Sequence, residues 1–207
     1  MTGECVHTLI CPPTPDPVRP GRAVFLDRDG VINENRADYV KSWAEFVFLP
    51  NVFQPLRDLA QNGLDVVLVS NQSIIARRIL SREQVDAINQ CMLAEIERQG
   101  GRIDSIYYCP HRPDEGCACR KPRPGMLFRA ARDRGLDLSH SYLIGDAVSD
   151  VQAGLAAGCR VAMVLTGRGH EQVQLLHPHE QPLVHVVADL AEAVCWVLDA
   201  EARLHGS

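Results

Sequence analysis

Two aspartates one residue apart, Asp27 and Asp29, follow the apolar run Ala23 to Leu26 and precede Gly30. Bounded by Gly21 and Gly30, that run reads as a short buried strand, so both acids fall at a strand's carboxyl end. In open parallel sheets ligands bind outside that end. Paired carboxylates there can hold a divalent cation while one of them attacks an electrophile. The alternative is a loop whose aspartates only cap a turn. A second cluster, Cys109, His111, Cys117 and Cys119, offers three thiolates and one imidazole in a single loop. That is a full tetrahedral complement for Zn²⁺ with no open position, hence a structural site. A labile disulfide or unrelated thiols are the alternatives. The other cysteines of the eight are scattered, a distribution that favours metal binding in a reducing compartment.

Chemistry of this kind needs a frame, and the apolar patterning supplies one. Leu64 to Val69 is a second near-continuous apolar run, and it ends in Ser70-Asn71-Gln72-Ser73. Further strands are expected at Ile103 to Tyr108, shorter, more polar and nearer an edge, at Tyr142 to Ile144 before Gly145-Asp146, at Arg160 to Leu165, and at Val184 to Val187. Helices are expected between them: behind Asn51 as cap, behind the Ser81/Gln84 capping box, from Pro124 to Gly135, from Asp150 to Gly158, and from Leu190 to the end. Strands alternating with helices predict an α/β fold: a Rossmann-like, mostly parallel sheet with helices on both faces and right-handed crossovers. Asp27, Ser70 and Asp146 then share one edge of the sheet. Packing alone does not explain three strands ending in polar residues at one end.

Residues 1–22, rich in proline, read as an extended or disordered tail, and 23–207 as one domain. The aromatic segment around Asp38, Tyr39 and Trp43 is a lid or a core-covering connection. His177-Pro178-His179 reads as a solvated loop. With Lys plus Arg at 21 and Asp plus Glu at 26, the net charge of -5 argues against nucleic-acid or membrane-surface binding. No run reaches the roughly 18 apolar residues of a membrane span. A cytoplasmic, monomeric protein acting on a small molecule is the expectation.

In order and context, Asp27-x-Asp29-Gly30-Val31, Ser70-Asn71-Gln72, Lys121 within Arg120-Lys121-Pro122, and Gly145-Asp146-x-x-x-Asp150 resemble the four motifs of the haloacid dehalogenase superfamily of phosphotransferases. The resemblance spans about Ala23 to Gly169. The thiol loop places it in the histidinol-phosphatase-like branch. It implies a phosphatase domain without a separate cap domain, its zinc loop next to the catalytic residues, forming an aspartyl-phosphate on Asp27, with Asp29 as general acid and base. It further implies Ser70 and Lys121 as catalytic groups, and Mg²⁺ on Asp27, Asp29 and Asp146, with Asp150 a possible further ligand. Substrate contacts would come from Asn35, Arg36, Asp38, Tyr39, Asn71, Gln72, Ser73 and Arg120. Cys109, His111, Cys117 and Cys119 would hold Zn²⁺. The implied substrate is a small sugar phosphate, a heptose 1,7-bisphosphate, with histidinol phosphate the alternative. A phosphoacceptor signalling domain also combines a parallel sheet with an acid cluster, but its phosphorylated Asp lies on a later strand than its acid pair. Two positions depart from the superfamily pattern: Ile74 follows Ser73 in place of glycine, and Ala147 follows Asp146 in place of lysine.

Overall fold

The structure, a computed structural model, describes residues 6–9 and 21–205. Its seven strands form one sheet in the order β1-β4-β3-β2-β5-β6-β7. They are β1 (His7–Leu9), β2 (Ala23–Leu26), β3 (Asp65–Asn71), β4 (Ser105–Cys109), β5 (Tyr142–Gly145), β6 (Arg160–Val164) and β7 (Val184–Val187). All neighbours run parallel except β1, which pairs antiparallel with β4. β2 lies between β3 and β5, where the order of strands reverses. A crevice opens at such a point, at the carboxyl ends of the strands.

Side chains alternate across the pleat, so β2 feeds two cores. Val24 and Leu26 join Leu56 and Leu59 of α1 (Phe53–Gln61), Val85, Ile88 and Met92 of α2 (Arg82–Arg98), and Val194 and Val197 of α6 (Leu190–His205). Ala23 and Phe25 face the other way, onto Met126 and Leu127 of α3 (Gly125–Arg134) and Val151 of α4 (Val148–Ala157). Each large apolar side chain buried in this way contributes about 1.5–3 kcal/mol. A short α5 (Gly169–Gln172) completes the helices. Between Asn35 and Phe48 the only helical turn is Trp43–Glu45, so this segment is a loop wall and not a cap domain.

Four sequence expectations are corrected. The tail is not wholly irregular, because His7–Leu9 forms the edge strand β1; its proline-rich part lies outside the described residues. β4 is therefore no edge, and all five of its residues are buried. Asn51 does not cap α1: it turns the chain at φ 59°, and Val52 occupies the cap without a side-chain bond. Asp150 lies inside α4, three positions beyond the cap residue Ala147, and its Oδ2 accepts from the Ala147 N–H at 3.1 Å. The Ser81/Gln84 capping box of α2 forms as expected.

Candidate active site

β2 ends at Leu26 and delivers Asp27 to the centre of the crevice, where it is 7% exposed. Its Oδ1 accepts from the Arg28 N–H at 2.7 Å and lies 3.0 Å from Lys121 Nζ. Lys121 also pairs with Asp150 Oδ1 at 2.5 Å and donates to the Val69 carbonyl at 2.7 Å. Burial works against the Lys121 charge, but Asp150 and Asp27 outweigh it and raise its pKa. Burial pushes the Asp27 carboxyl up to about 7; Lys121 opposes this, while Asp150, Asp146 and Asp29 add to it.

Asp146 follows β5 and is fully buried; burial and Asp150 raise its carboxyl to about 6. Its Oδ2 accepts from the Arg168 N–H at 2.8 Å, whereas its Oδ1 has no hydrogen-bond partner. A buried carboxylate oxygen without a partner is costly unless a cation meets it. Carboxylate oxygens of Asp27, Asp146 and Asp150 lie within 4.8 Å of one another. Oxygen-only donors crowded in this way fit Mg²⁺. Asp150 Oδ2 accepts from the Ala147 N–H, while its Oδ1 faces Lys121 at 2.5 Å and, like Asp146 Oδ1, has no hydrogen-bond partner, so all three acids present oxygens where an ion would sit.

Asp29 is held differently. Arg28 Nη2 donates to both of its oxygens at 2.9 Å, Asn33 Nδ2 to Oδ1 at 2.9 Å and Gln72 Nε2 to Oδ2 at 2.9 Å. Burial alone would raise this carboxyl, but Arg28, Asn33 and Gln72 together hold it below the usual value. The two acids of the pair are thus pushed in opposite directions in the metal-free site, and a cation beside Asp27 and Asp146 would be what keeps Asp27 ionised. Gly30 lets the chain pass. At φ 92° a Cβ there would stand 2.1 Å from Asp146 Oδ2, and a Cβ on Gly167 would stand 2.5 Å from the Gly30 Cα.

Ser70 is brought to the site at the end of β3, where its Oγ accepts from Gln72 Nε2 at 2.9 Å. Gln72 thereby ties Ser70 to Asp29. Asn71, expected to bind the phosphoryl group, uses its amide otherwise: Oδ1 accepts from the Lys121 N–H and Nδ2 donates to the Lys121 carbonyl, both at 3.1 Å. It positions Lys121. Tyr39, at the left-handed φ of 67°, reaches Ser73 Oγ at 3.4 Å and joins two walls of the site. Asp38 is not in the cavity wall; it turns outward to Lys41 and Arg36.

The four residues of the thiol loop come together. Cys119 Sγ lies 3.2 Å from Cys109 Sγ, 3.5 Å from Cys117 Sγ and 3.4 Å from His111 Nδ1, and no disulfide joins them. Ligands of a tetrahedral zinc at about 2.3 Å stand about 3.8 Å apart, so this set is close to a closed zinc site. The Cys119 thiol, donating to Cys109, lowers the Cys109 pKa to about 5, and the same contact raises its own, so without a metal the two sulfurs share a proton that zinc would displace. Arg120 Nη1 donates to the His111 carbonyl at 3.1 Å, and Arg123 to that of Cys117 at 2.8 Å. The loop therefore stiffens the segment that presents Lys121.

Asp27, Asp29, Asn35, Arg36, Tyr39, Ser70 to Ser73, Arg120 and Lys121 all line a cavity of about 610 Å³. Sequence reasoning gave no role to Arg28, Asn33, Arg77, Arg112, Arg123, Ser149 or Arg168. Arg28 and Asn33 were signalled only by lying beside the acids; Ser149 comes from the first turn of α4 and the others from loops, whose approach depends on the tertiary fold.

Comparison with known proteins agrees with this geometry. Residues 118–193 match the family model described as HAD-hydrolase-like. The chain is 41% identical over 191 residues to a D-glycero-beta-D-manno-heptose-1,7-bisphosphate 7-phosphatase of Yersinia pestis, covering 88% of this chain and 92% of that one. It is 40% identical over 146 residues to that of Pseudomonas aeruginosa, covering 70% and 82%. The crystal structure of D,D-heptose 1,7-bisphosphate phosphatase from B. bronchiseptica, complexed with magnesium and phosphate, matches with a TM-score of 0.81 at 38% identity, covering 86% of this chain and 99% of that one. On these grounds the chain belongs to the D-glycero-D-manno-heptose-1,7-bisphosphate 7-phosphatase family of the haloacid dehalogenase superfamily and is a phosphoric monoester hydrolase.

Proposed function

We propose that this enzyme releases the 7-phosphate of D-glycero-β-D-manno-heptose 1,7-bisphosphate and leaves the 1-phosphate for nucleotide activation in surface-glycan synthesis. The observation that carries the chemistry is Asp27, buried at the end of the central strand with Lys121 at 3.0 Å and the unpartnered Asp146 Oδ1 beside it. The sugar and its β-anomer are supported by the names of the relatives.

Phosphate-monoester hydrolysis is among the slowest uncatalysed reactions, with enhancements reaching about 10²¹, so attack must be split into easier steps and charge must be neutralised. Asp27 attacks phosphorus in line. A P–O bond forms to its carboxylate as the bond to the sugar O7 breaks, and Asp29 gives the departing alkoxide its proton. Water then attacks the aspartyl-phosphate, Asp29 takes its proton, and inorganic phosphate and free Asp27 result. Asp29 is held anionic in the free site, so the first proton it passes to O7 is taken up from solvent as the substrate binds, and the attacking water returns it in each turnover. Ser70 donates to a phosphoryl oxygen, and Lys121 offsets the growing negative charge. Mg²⁺, held by Asp27, the Asp29 backbone carbonyl and Asp146, supplies further charge neutralisation. Zn²⁺ on Cys109, His111, Cys117 and Cys119 has a structural role. The working form is a cytoplasmic monomer whose single domain spans residues 23–207.

Steady-state kinetics on both anomers of heptose 1,7-bisphosphate, on fructose 1,6-bisphosphate and on histidinol phosphate test the substrate. The β-heptose should give the highest kcat/KM; a value for histidinol phosphate at or above it would replace the substrate and leave the chemistry standing.

A further inference from the structure

We infer that Asn89, a buried amide on α2, is a positioning residue for the proton transfer: through Arg28 it sets the plane of the Asp29 carboxylate. The inference rests on Asp29 as the proton carrier, as proposed above. The buried face of α2 is otherwise apolar, with Val85, Ile88, Met92 and Ile96, and Asn89 stands among them at 1% exposure. An amide buried in this way is costly unless it is bonded. Its Oδ1 accepts from Arg28 Nη1 at 3.0 Å.

Arg28 carries that bond to the chemistry. It is buried, its guanidinium carbon lies 5.9 Å from the centre of the Phe46 ring, and its Nη2 donates to both Asp29 oxygens at 2.9 Å. A guanidinium is one rigid plane, so a grip on Nη1 fixes where Nη2 points. The other two donors to Asp29 constrain it less. Asn33 Nδ2 meets only Oδ1 and is shared with the Glu34 carbonyl, and Gln72 Nε2 meets only Oδ2 and is shared with Ser70 Oγ. Arg28 alone of the three spans both oxygens. Its Nε has no hydrogen-bond partner, so among the described residues its side chain is held by polar bonds to Asp29 and Asn89 only. With the Asn89 acceptor gone, the guanidinium turns about Asp29, and the carboxylate plane turns with it. A reacting group about 1 Å out of place can cost about 10²-fold in rate.

The test measures kcat/KM, which reads only the steps through aspartyl-phosphate formation, with Mg²⁺ present and on two substrates: the alkyl phosphate that ranks first in the panel above, and p-nitrophenyl phosphate. The alkoxide of the first must take a proton as it leaves, whereas p-nitrophenolate leaves without one. D29N should lower the ratio of alkyl to aryl kcat/KM about 10²-fold or more. N89L should lower the same ratio about tenfold. R28M/N89L replaces both polar partners by apolar side chains and leaves neither unpaired, and it should lower the ratio no less than N89L does. Equal losses on both substrates in N89L and in the double variant, with the D29N ratio lowered, would make Asn89 a packing residue and overturn the inference. A D29N ratio equal to that of the wild type would overturn Asp29 as the proton carrier, and the inference with it.

Discussion

Asp27 and Asp29 are the same residue type placed in two environments, and their substitutions should fail differently. Asp27→Asn removes the nucleophile and should lower kcat on the order of 10⁴–10⁶-fold, with no covalent phosphate trapped. Asp29→Asn keeps the nucleophile but loses proton transfer, for which about 10²–10⁴-fold is expected. Quench-flow on phosphorylated protein separates them: near-normal turnover by Asp27→Asn would show that another group attacks. Single residues were legible in the sequence where their type is uncommon at a strand end, as with Asp27, Ser70 and Asp146. Partnerships were not legible. Asn71 lies next to Ser70 in sequence, yet its amide is fifty positions away in effect, on the Lys121 backbone. Asp38 lies among residues of the cavity wall, but Lys41 and Arg36 draw it outward. Ala147, where the superfamily pattern has lysine, is only 2% exposed at the cap of α4, so a longer side chain there would have to leave a packed position.

At the scale of elements, the thiol loop is the piece whose removal should reach furthest. Cys109 ends β4, and Lys121 follows Cys119 by two residues, so the zinc ligands fix the route between a strand and a catalytic cation. Metal analysis of protein purified under reducing, chelator-free conditions should find about one zinc per chain. Cys117→Ser should lower that content and reduce kcat, through displacement of Lys121, more than it changes KM. Protein that is fully active without zinc would contradict this. The strands and helices were read correctly wherever apolar period and caps agree, as in β2, β3 and α2. β1 escaped because three residues, His-Thr-Leu, carry no period of their own and are held in place by β4. The same pairing explains why β4, taken for an edge strand, is covered.

For the whole molecule, charge crowding couples stability to pH and to magnesium. Asp27 at about 7 and Asp146 at about 6 lie above the ordinary carboxylate value of 3.8. In the metal-free protein the folded state therefore keeps protons that the unfolded chain has already lost, and stability falls as pH rises from about 4 to about 7. Mg²⁺ competes with those protons. Its stabilisation should be small at pH 5 and grow toward pH 8, reaching about 2.7 kcal/mol at a hundredfold excess over Kd, or roughly 5–10 °C in Tm. Calorimetry with and without Mg²⁺ measures it, and an increment independent of pH would contradict the raised carboxyls.

The contact between Gly30 and Gly167 has a consequence for traffic. With their backbones this close, the β6–α5 loop is held against the turn after β2, and Thr166 Oγ1 fastens it there by donating to the Gly30 carbonyl at 2.7 Å. Asn35, Tyr39 and, from the thiol loop, Gly116 and Cys117 line the same cavity. Whatever lies deepest leaves last. The sugar must depart before the phosphate it has lost, and the phosphate then waits in the seat the next substrate needs. Free phosphate should accordingly inhibit in competition with substrate, slowing the enzyme as its own product accumulates.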